Sequence, residues 1–220
     1  MCWNQYVSIN TFVFGLFVLL LIAFNNHYSS YKLDFFVNDY AYLFILSVIT
    51  MQLIEFVLWR NINNTNINKI VSTIGLILLC IQPFTSLLLI GNIKLRDKLI
   101  LFYSIPALIF LIYTIFTTNI HTVISKSGHL GWNWTNNNLT PVMRNIISLF
   151  YFVFLLFPMI YIKYYEAFIS LVLYFSIKYY YTNDRSLNSL WCFSVNALML
   201  YFLIQILLIL PFNEITSDNR

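Results

Sequence analysis

Charge is what this sequence has least of. Twelve Lys and Arg against eight Asp and Glu leave 9% of its 220 residues charged, where a soluble domain carries about 25%. A water-soluble surface cannot be tiled at that density. The net charge of +4 is small and scattered, and no block of Lys or Arg would track a phosphate backbone or grip anionic headgroups, which excludes a nucleic-acid partner. The three cysteines, Cys2, Cys80 and Cys192, lack CxxC or CxxxH spacing, so neither a zinc motif nor a disulfide scaffold is declared. Also missing are G-x-S-x-G, H-E-x-x-H, paired intramembrane aspartates and a lysine inside a span that could hold retinal. No metal or other cofactor is implied, and no pattern declares an enzyme.

What fills the chain instead is apolar: 60% hydrophobic residues and 19% aromatic. A spanning helix needs about 20 mostly apolar residues, because roughly 30 Å of hydrocarbon is crossed at about 1.5 Å per residue. Seven segments meet that measure or nearly so: 8–24, 39–59, 70–91, 98–118, 144–162, 165–181 and 187–211. The expected fold is therefore an all-α, polytopic transmembrane helix bundle, a single integral membrane domain over 1–220. Only "KYYE" divides the fifth segment from the sixth. Merged, they would make six spans, one of them about 57 Å long, too long for one crossing at ordinary tilt. Pro83, Pro106 and Pro158 fall inside spans, where kinked helices are expected. The first apolar run has no basic residues before it and no small-residue cleavage site after it, which reads as a retained span rather than a removed signal.

Seven spans put the termini on opposite sides. Lys and Arg divide equally between the two sides, so the positive-inside rule returns a tie. The dense basic loop "KLRDK" lies opposite the N-terminus, while the N-x-T sequons at Asn63, Asn133 and Asn138 lie with it. Both favour an N-terminus outside or lumenal.

In "MQLIEFVLWR", Glu55 is a lone carboxylate about one turn inside the second span. A charge there costs on the order of 2 to 3 kcal/mol at most. Gln52, Glu55 and Trp59 share one helix face, a polar stripe expected to point into the bundle. Such a stripe serves equally well as polar glue between helices, a role common inside membranes.

The topology gathers other unusual residues at the N-terminal face: Cys2 and Trp3; His129, Trp132 and Trp134 of "GHLGWNW"; and Ser189, Trp191, Cys192 and Asn196 of "NSLWCFSVN". Gln82, before Pro83, could be turned by a kink toward the same cavity. Each has a plain structural reading: a loop His is usually solvated, and a Trp at a span end is usually an interfacial anchor. Cys2 and Cys192 could be inert thiols or, on an extracytoplasmic face, a disulfide.

"MCWNQYVSINTF", "MQLIEFVLWRN" and "SLWCFSVN" together resemble an uncharacterised family of multi-pass membrane proteins of bacteria and giant DNA viruses. Its members begin Met-Cys-Trp-Ser-Ala or Met-Cys-Phe-Ser-Ala and carry a glutamate followed by a tryptophan in the second span. The match covers Met1 to Trp3, Ser8, Gln52, Glu55 and Trp59, and more loosely Trp191 and Cys192; Asn4 and Gln5 depart from the Ser-Ala pair. The resemblance implies a helix arrangement and no activity. Heavy use of Asn, Ile, Tyr, Lys and Phe points to an AT-rich genome and hence to a giant-virus member, in a host or virion membrane.

Three functions fit these residues. One is a small binding or transport module with a polar cavity around Glu55, lined by Gln52, Trp59, Gln82, Cys2, Trp191, Cys192 and Asn196. Another is a membrane enzyme acting on a lipid or other amphiphile, with Glu55 as acid/base and His129, Ser189 or Cys192 assisting. The third is a structural protein of a virion or host membrane. The partners in each case are the lipid bilayer and, for a homo-oligomer, further copies of the chain.

Overall fold

The computed structural model describes residues 4–133, 139–164, 172, 176 and 187–212, with the backbone alone described for 141 and 187–195. Among these residues the chain is predominantly helical. Five helices are long and apolar enough to cross a membrane, as an integral membrane protein requires: α1 (Gln5–Tyr28), α2 (Tyr40–Arg60), α3 (Thr65–Leu87), α4 (Ile93–Thr117) and α5 (Pro141–Tyr161). A further helix, α6 (Leu187–Ile204), continues through a π-helical turn at Gln205–Ile209. The expected span at 165–181 lies outside the described residues. The seven spans read from hydropathy thus become five among the described residues, with α6 as a shorter apolar helix over Asn196–Phe212.

Helices α1, α3, α4 and α5 begin earlier than their apolar runs because Asn and Thr cap them, while α2 begins at Tyr40 without a side-chain cap. Asn4 Oδ1 accepts from the backbone N–H groups of Tyr6 and Val7 at 2.9 and 3.0 Å. Asn64 caps α3 through Ile67 N–H (3.2 Å), Asn92 caps α4 through Leu95 N–H (3.1 Å), and Thr140 caps α5 through Met143 N–H (3.3 Å). Each oxygen satisfies a donor that the first helical turn leaves without an intrahelical partner. Pro83, Pro106 and Pro158 lie inside α3, α4 and α5 as expected.

Helix α2 is the centre of the bundle, packed on α1, α3 and α6, while α3 also carries α4 and α5. The α1 face turned inward is made of Ser8, Thr11, Gly15, Val18, Ile22 and Asn25. Small residues at this spacing let backbones approach closely; a Cβ on Gly15 would sit 3.1 Å from Ile49. Helix α4 stands at the edge, with Leu101, Phe102, Ile105, Leu108 and Ile109 exposed.

Hydrogen bonds tie the middle of the bundle. Ser47 and Thr85 hydroxyls lie 3.3 Å apart, Gln82 Nε2 donates to Ser47 O (3.3 Å), Tyr151 Oη donates to Gln82 Oε1 (2.7 Å), and Ser86 Oγ donates to Leu155 O (2.7 Å). At the end away from Gln5, Phe35 and Phe36 pack with Tyr164 and Phe202. Nearer the other end, Asn196 Nδ2 donates to Thr11 Oγ1 (2.9 Å). Helices α1 and α6 therefore run in the same direction, and α6 begins at the N-terminal face.

Candidate functional site

The stretch between α4 and α5, read from sequence as a polar loop, contains an antiparallel hairpin and so departs from an all-α fold. Strand β1 is Thr122–Ile124 and β2 is Leu130–Trp132, with Thr122 opposite Trp132 and Ile124 opposite Leu130. The β-branched run Thr122, Val123, Ile124 suits an extended backbone. Gly128, at φ +79°, supplies the left-handed position in the turn. Ser125 N–H donates to His129 O (2.7 Å) and Gly128 N–H to Ser125 O (3.0 Å), while Asn133 N–H donates to His121 O (3.0 Å) beyond the ladder.

This hairpin is inserted into the helices. Thr122 N–H donates to Asn68 Oδ1 (2.8 Å) and Asn68 Nδ2 donates to Thr122 O (2.9 Å), so the carboxamide pairs with the strand as a neighbouring peptide would. Ser72 Oγ donates to Asn68 Oδ1 (3.1 Å) and lies 2.7 Å from Thr122 Oγ1. Trp132 is 0% exposed. Its ring fills the space where Gly75 has no side chain: a Cβ there would stand 2.9 Å from Trp132 Cζ3 and 3.3 Å from Ile54. Ile54 lies six residues before the end of α2, so the ring sits about 9 Å below that end at 1.5 Å per residue. Met51, Ile54, Leu58, Leu76, Ile120 and Leu130 complete the apolar seat.

Glu55 is carried on this same turn of α2. It is 0% exposed, and Gln52, one turn earlier, is 1% exposed. Trp59 is half-buried and its Nε1 is enclosed. The stripe that the sequence placed inward is therefore inward. It faces packed protein, not an open cavity. A depression that opens at this end holds about 840 Å³ and is lined by Trp59, Arg60, Ile62, Thr65 and the asparagines between and after them, at the mouth of the α2–α3 turn.

The remaining candidates divide. His129, expected in solvent, is 7% exposed at the hairpin turn. Gln82 does not join the Glu55 stripe: both ends of its amide are used in the Ser47 and Tyr151 network, eight residues and so about 12 Å along α2 from Glu55. Asn196 bonds Thr11 across the α1–α6 contact. Ser189, Trp191 and Cys192 lie on the first turns of α6, a helix that packs on α1, α2 and β2; their side chains, and all of Cys2, Trp3 and Trp134, lie outside the described residues. Asn68, Ser72 and Thr122 were not foreseen. The signal was present as Asn68 and Ser72 at i and i+4, two polar side chains on one helix face.

A carboxylate enclosed in this way can hold a proton or a cation, and the buried Gln52 amide one turn earlier on the same helix can position one. Among the described residues no group of three His, Cys, Asp or Glu is placed to hold a metal ion. No family model, curated protein or solved structure matches the chain, and the family resemblance rests on the residues quoted for it alone.

Proposed function

We propose that the chain is a multi-pass membrane module that binds or conducts a proton or small cation, with Glu55 as the group that holds it. One observation carries this reading: a wholly buried carboxylate on α2, level with a non-helical segment whose Trp132 reaches the α2–α3 interface. Ionisable residues inside a membrane are costly and face a bundle interior or a water-filled path. Non-helical backbone at membrane depth is tolerated only where protein buries it or it lines a cavity. Both expenses fall on the same turn of α2.

Seven spans belong to this proposal. Tyr164 and Phe202 pack at the end of the bundle away from Gln5. Leu187 is 15 residues before Phe202, about 22 Å back along α6. The chain leaves α5 at one end of the bundle and re-enters α6 at the other, which supports a crossing between them. The N-terminus outside or lumenal, and a host or virion membrane, are the setting proposed for it.

The test is proton or cation flux in proteoliposomes holding the full chain. Glu55→Gln is expected to abolish flux; unchanged flux would overturn the transport reading. The burial of His129 at the hairpin turn favours one second reading, an enzyme acting on an amphiphile with Glu55 as acid/base. Lipid turnover lost in both Glu55→Gln and His129→Gln, with no flux in the parent, would establish it instead.

A further inference from the structure

We propose that Glu55 is the charged member of a buried site for one alkali cation, and that Thr11 of α1, Gln52 of α2 and Asn196 of α6 supply its neutral oxygens. The proposal rests on Glu55 being the working group, and adds which ion it holds and what completes the shell. Helices α1, α2 and α6 meet along one line. Away from the N-terminal face their contact is apolar: Val18 and Ile22, Ile45 and Ile49, Met199 and Phe202 belong to one buried cluster. Toward the N-terminal face each helix changes character. Ser8 and Thr11 continue the inward strip of α1, Gln52 and Glu55 follow Ile49 on α2, and Asn196 stands one turn before Met199 on α6. Ser8, Thr11, Gln52 and Glu55 are all buried.

The levels of these residues agree. Gly15 faces Ile49 so closely that a Cβ would stand 3.1 Å from it. From that contact toward the N-terminal face, Thr11 is about 6 Å along α1, and Gln52 and Glu55 are about 4.5 and 9 Å along α2, at about 1.5 Å per residue. Asn196 is level with Thr11, because its Nδ2 donates to Thr11 Oγ1 at 2.9 Å. The directions agree as well. Ile49 turns to α1 and Ile54 to Gly75 and Trp132, while Leu43 and Leu46 are exposed. At about 3.6 residues per turn, Gln52 and Glu55 straddle the direction opposite Leu43 and Leu46. Besides α1 and α3, the helix packed on α2 is α6.

The Asn196 amide is the piece that points to a ligand. Its Nδ2 is committed to Thr11, whereas its Oδ1 is enclosed and receives no donor among the described residues. A buried acceptor in that state calls for an ion, a water or a proton donor. Thr11 Oγ1 accepts one bond from Asn196 and keeps a second lone pair. With the Glu55 carboxylate and the Gln52 carbonyl oxygen, the donors are hard oxygens carrying one formal negative charge. That balance suits a hard cation of single charge. A calcium-type ion takes about six to eight oxygens, several of them carboxylate. A transition metal draws on imidazole or thiolate, and no group of three His, Cys, Asp or Glu gathers among the described residues.

The test is equilibrium binding of radioactive sodium and, separately, rubidium to the purified full chain in detergent at fixed pH, with choline as the replacement cation. Binding of one ion per chain is expected, lost in Glu55→Gln. Thr11→Val, which keeps the shape and removes the oxygen, should weaken binding about tenfold. Asn196→Asp places a second carboxylate at the same position and should turn the preference toward calcium. That gain would not be shown by an unfolded chain, nor by an asparagine that only ties two helices together. No binding of either ion by the parent, binding indifferent to Thr11→Val, or no calcium gain in Asn196→Asp would overturn the site. Flux of protons that needs Glu55, in a parent that binds neither ion, would overturn the site and keep the Glu55 reading, so the two fail separately.

Discussion

Gly75 and Trp132 are fitted to each other at single-atom scale. The ring approaches α3 where hydrogen replaces a methyl, and a Cβ at 2.9 Å from Cζ3 is closer than packed carbons approach. Gly75→Ala should therefore destabilise the bundle by about 1 to 3 kcal/mol, the usual cost of overpacking. Thermal unfolding in detergent measures it. Trp132→Phe, which shortens the ring, should recover part of the loss in the double variant, because the two positions share one contact. A Gly75→Ala protein with an unchanged midpoint would mean that the ring is not seated there. Glu55, by contrast, was legible from sequence as a residue out of place, because one carboxylate in an apolar run stands out. The hairpin packed on the neighbouring Ile54 was not legible, since it lies about 75 residues further along the chain.

At the scale of elements, the starts of α1, α3, α4 and α5 are set by Asn and Thr caps where the surrounding composition read only as loop. Asn64→Ala should cost α3 about 1 kcal/mol, while Asn64→Asp or Asn64→Ser should cost only a few tenths. The same unfolding measurement checks the ranking. Hydrophobic runs located α1 to α5 well because length and apolarity are both demanded by a bilayer. Their starts ran outward by up to five residues, as at Thr65 and Ile93, because caps work on polar residues that hydropathy discards. The hairpin went unseen for a related reason. Strands of three residues are too short for alternation to register, and Ser, Gly and Asn around them carry the usual marks of a loop. Gln82 was recognised as a polar residue at mid-span, yet its partners Ser47 and Tyr151 lie on other helices and no spacing within one segment could name them.

Over the whole molecule, burial is uneven. Helix α2 is enclosed on most sides, whereas α4 packs on α3 and, through Phe102 and Tyr103, on Phe150 and Phe154 of α5, and presents the rest of its apolar side chains outward. Leu101→Ala and Ile109→Ala, on that outer face, should each change stability by no more than about 0.5 kcal/mol. Tyr103 is 3% exposed and its Oη donates to Cys80 O at 2.8 Å. Tyr103→Phe should cost about 0.5 to 1.5 kcal/mol, the net worth of one such bond. Unfolding of the three variants side by side gives the contrast; equal losses would mean that α4 is enclosed by something other than lipid.

The bond between Thr11 and Asn196 joins residues 185 positions apart, and that separation is also an interval of time. At about 5 to 20 residues per second of synthesis, α1 waits roughly ten to forty seconds for its last neighbour. During that wait its inward strip is only partly covered, by α2 through Gly15 and Ile49. The polar residues it carries near its start are hydroxyls, and a hydroxyl can turn back on its own helix, as Ser8 Oγ does to Asn4 O at 3.3 Å. An amide has two groups to satisfy, and turning back on its own helix, as Asn61 Nδ2 does to Val57 O at 2.8 Å, serves only one of them. In this pair the amide is on the helix made last, Asn196, which meets a partner already in place.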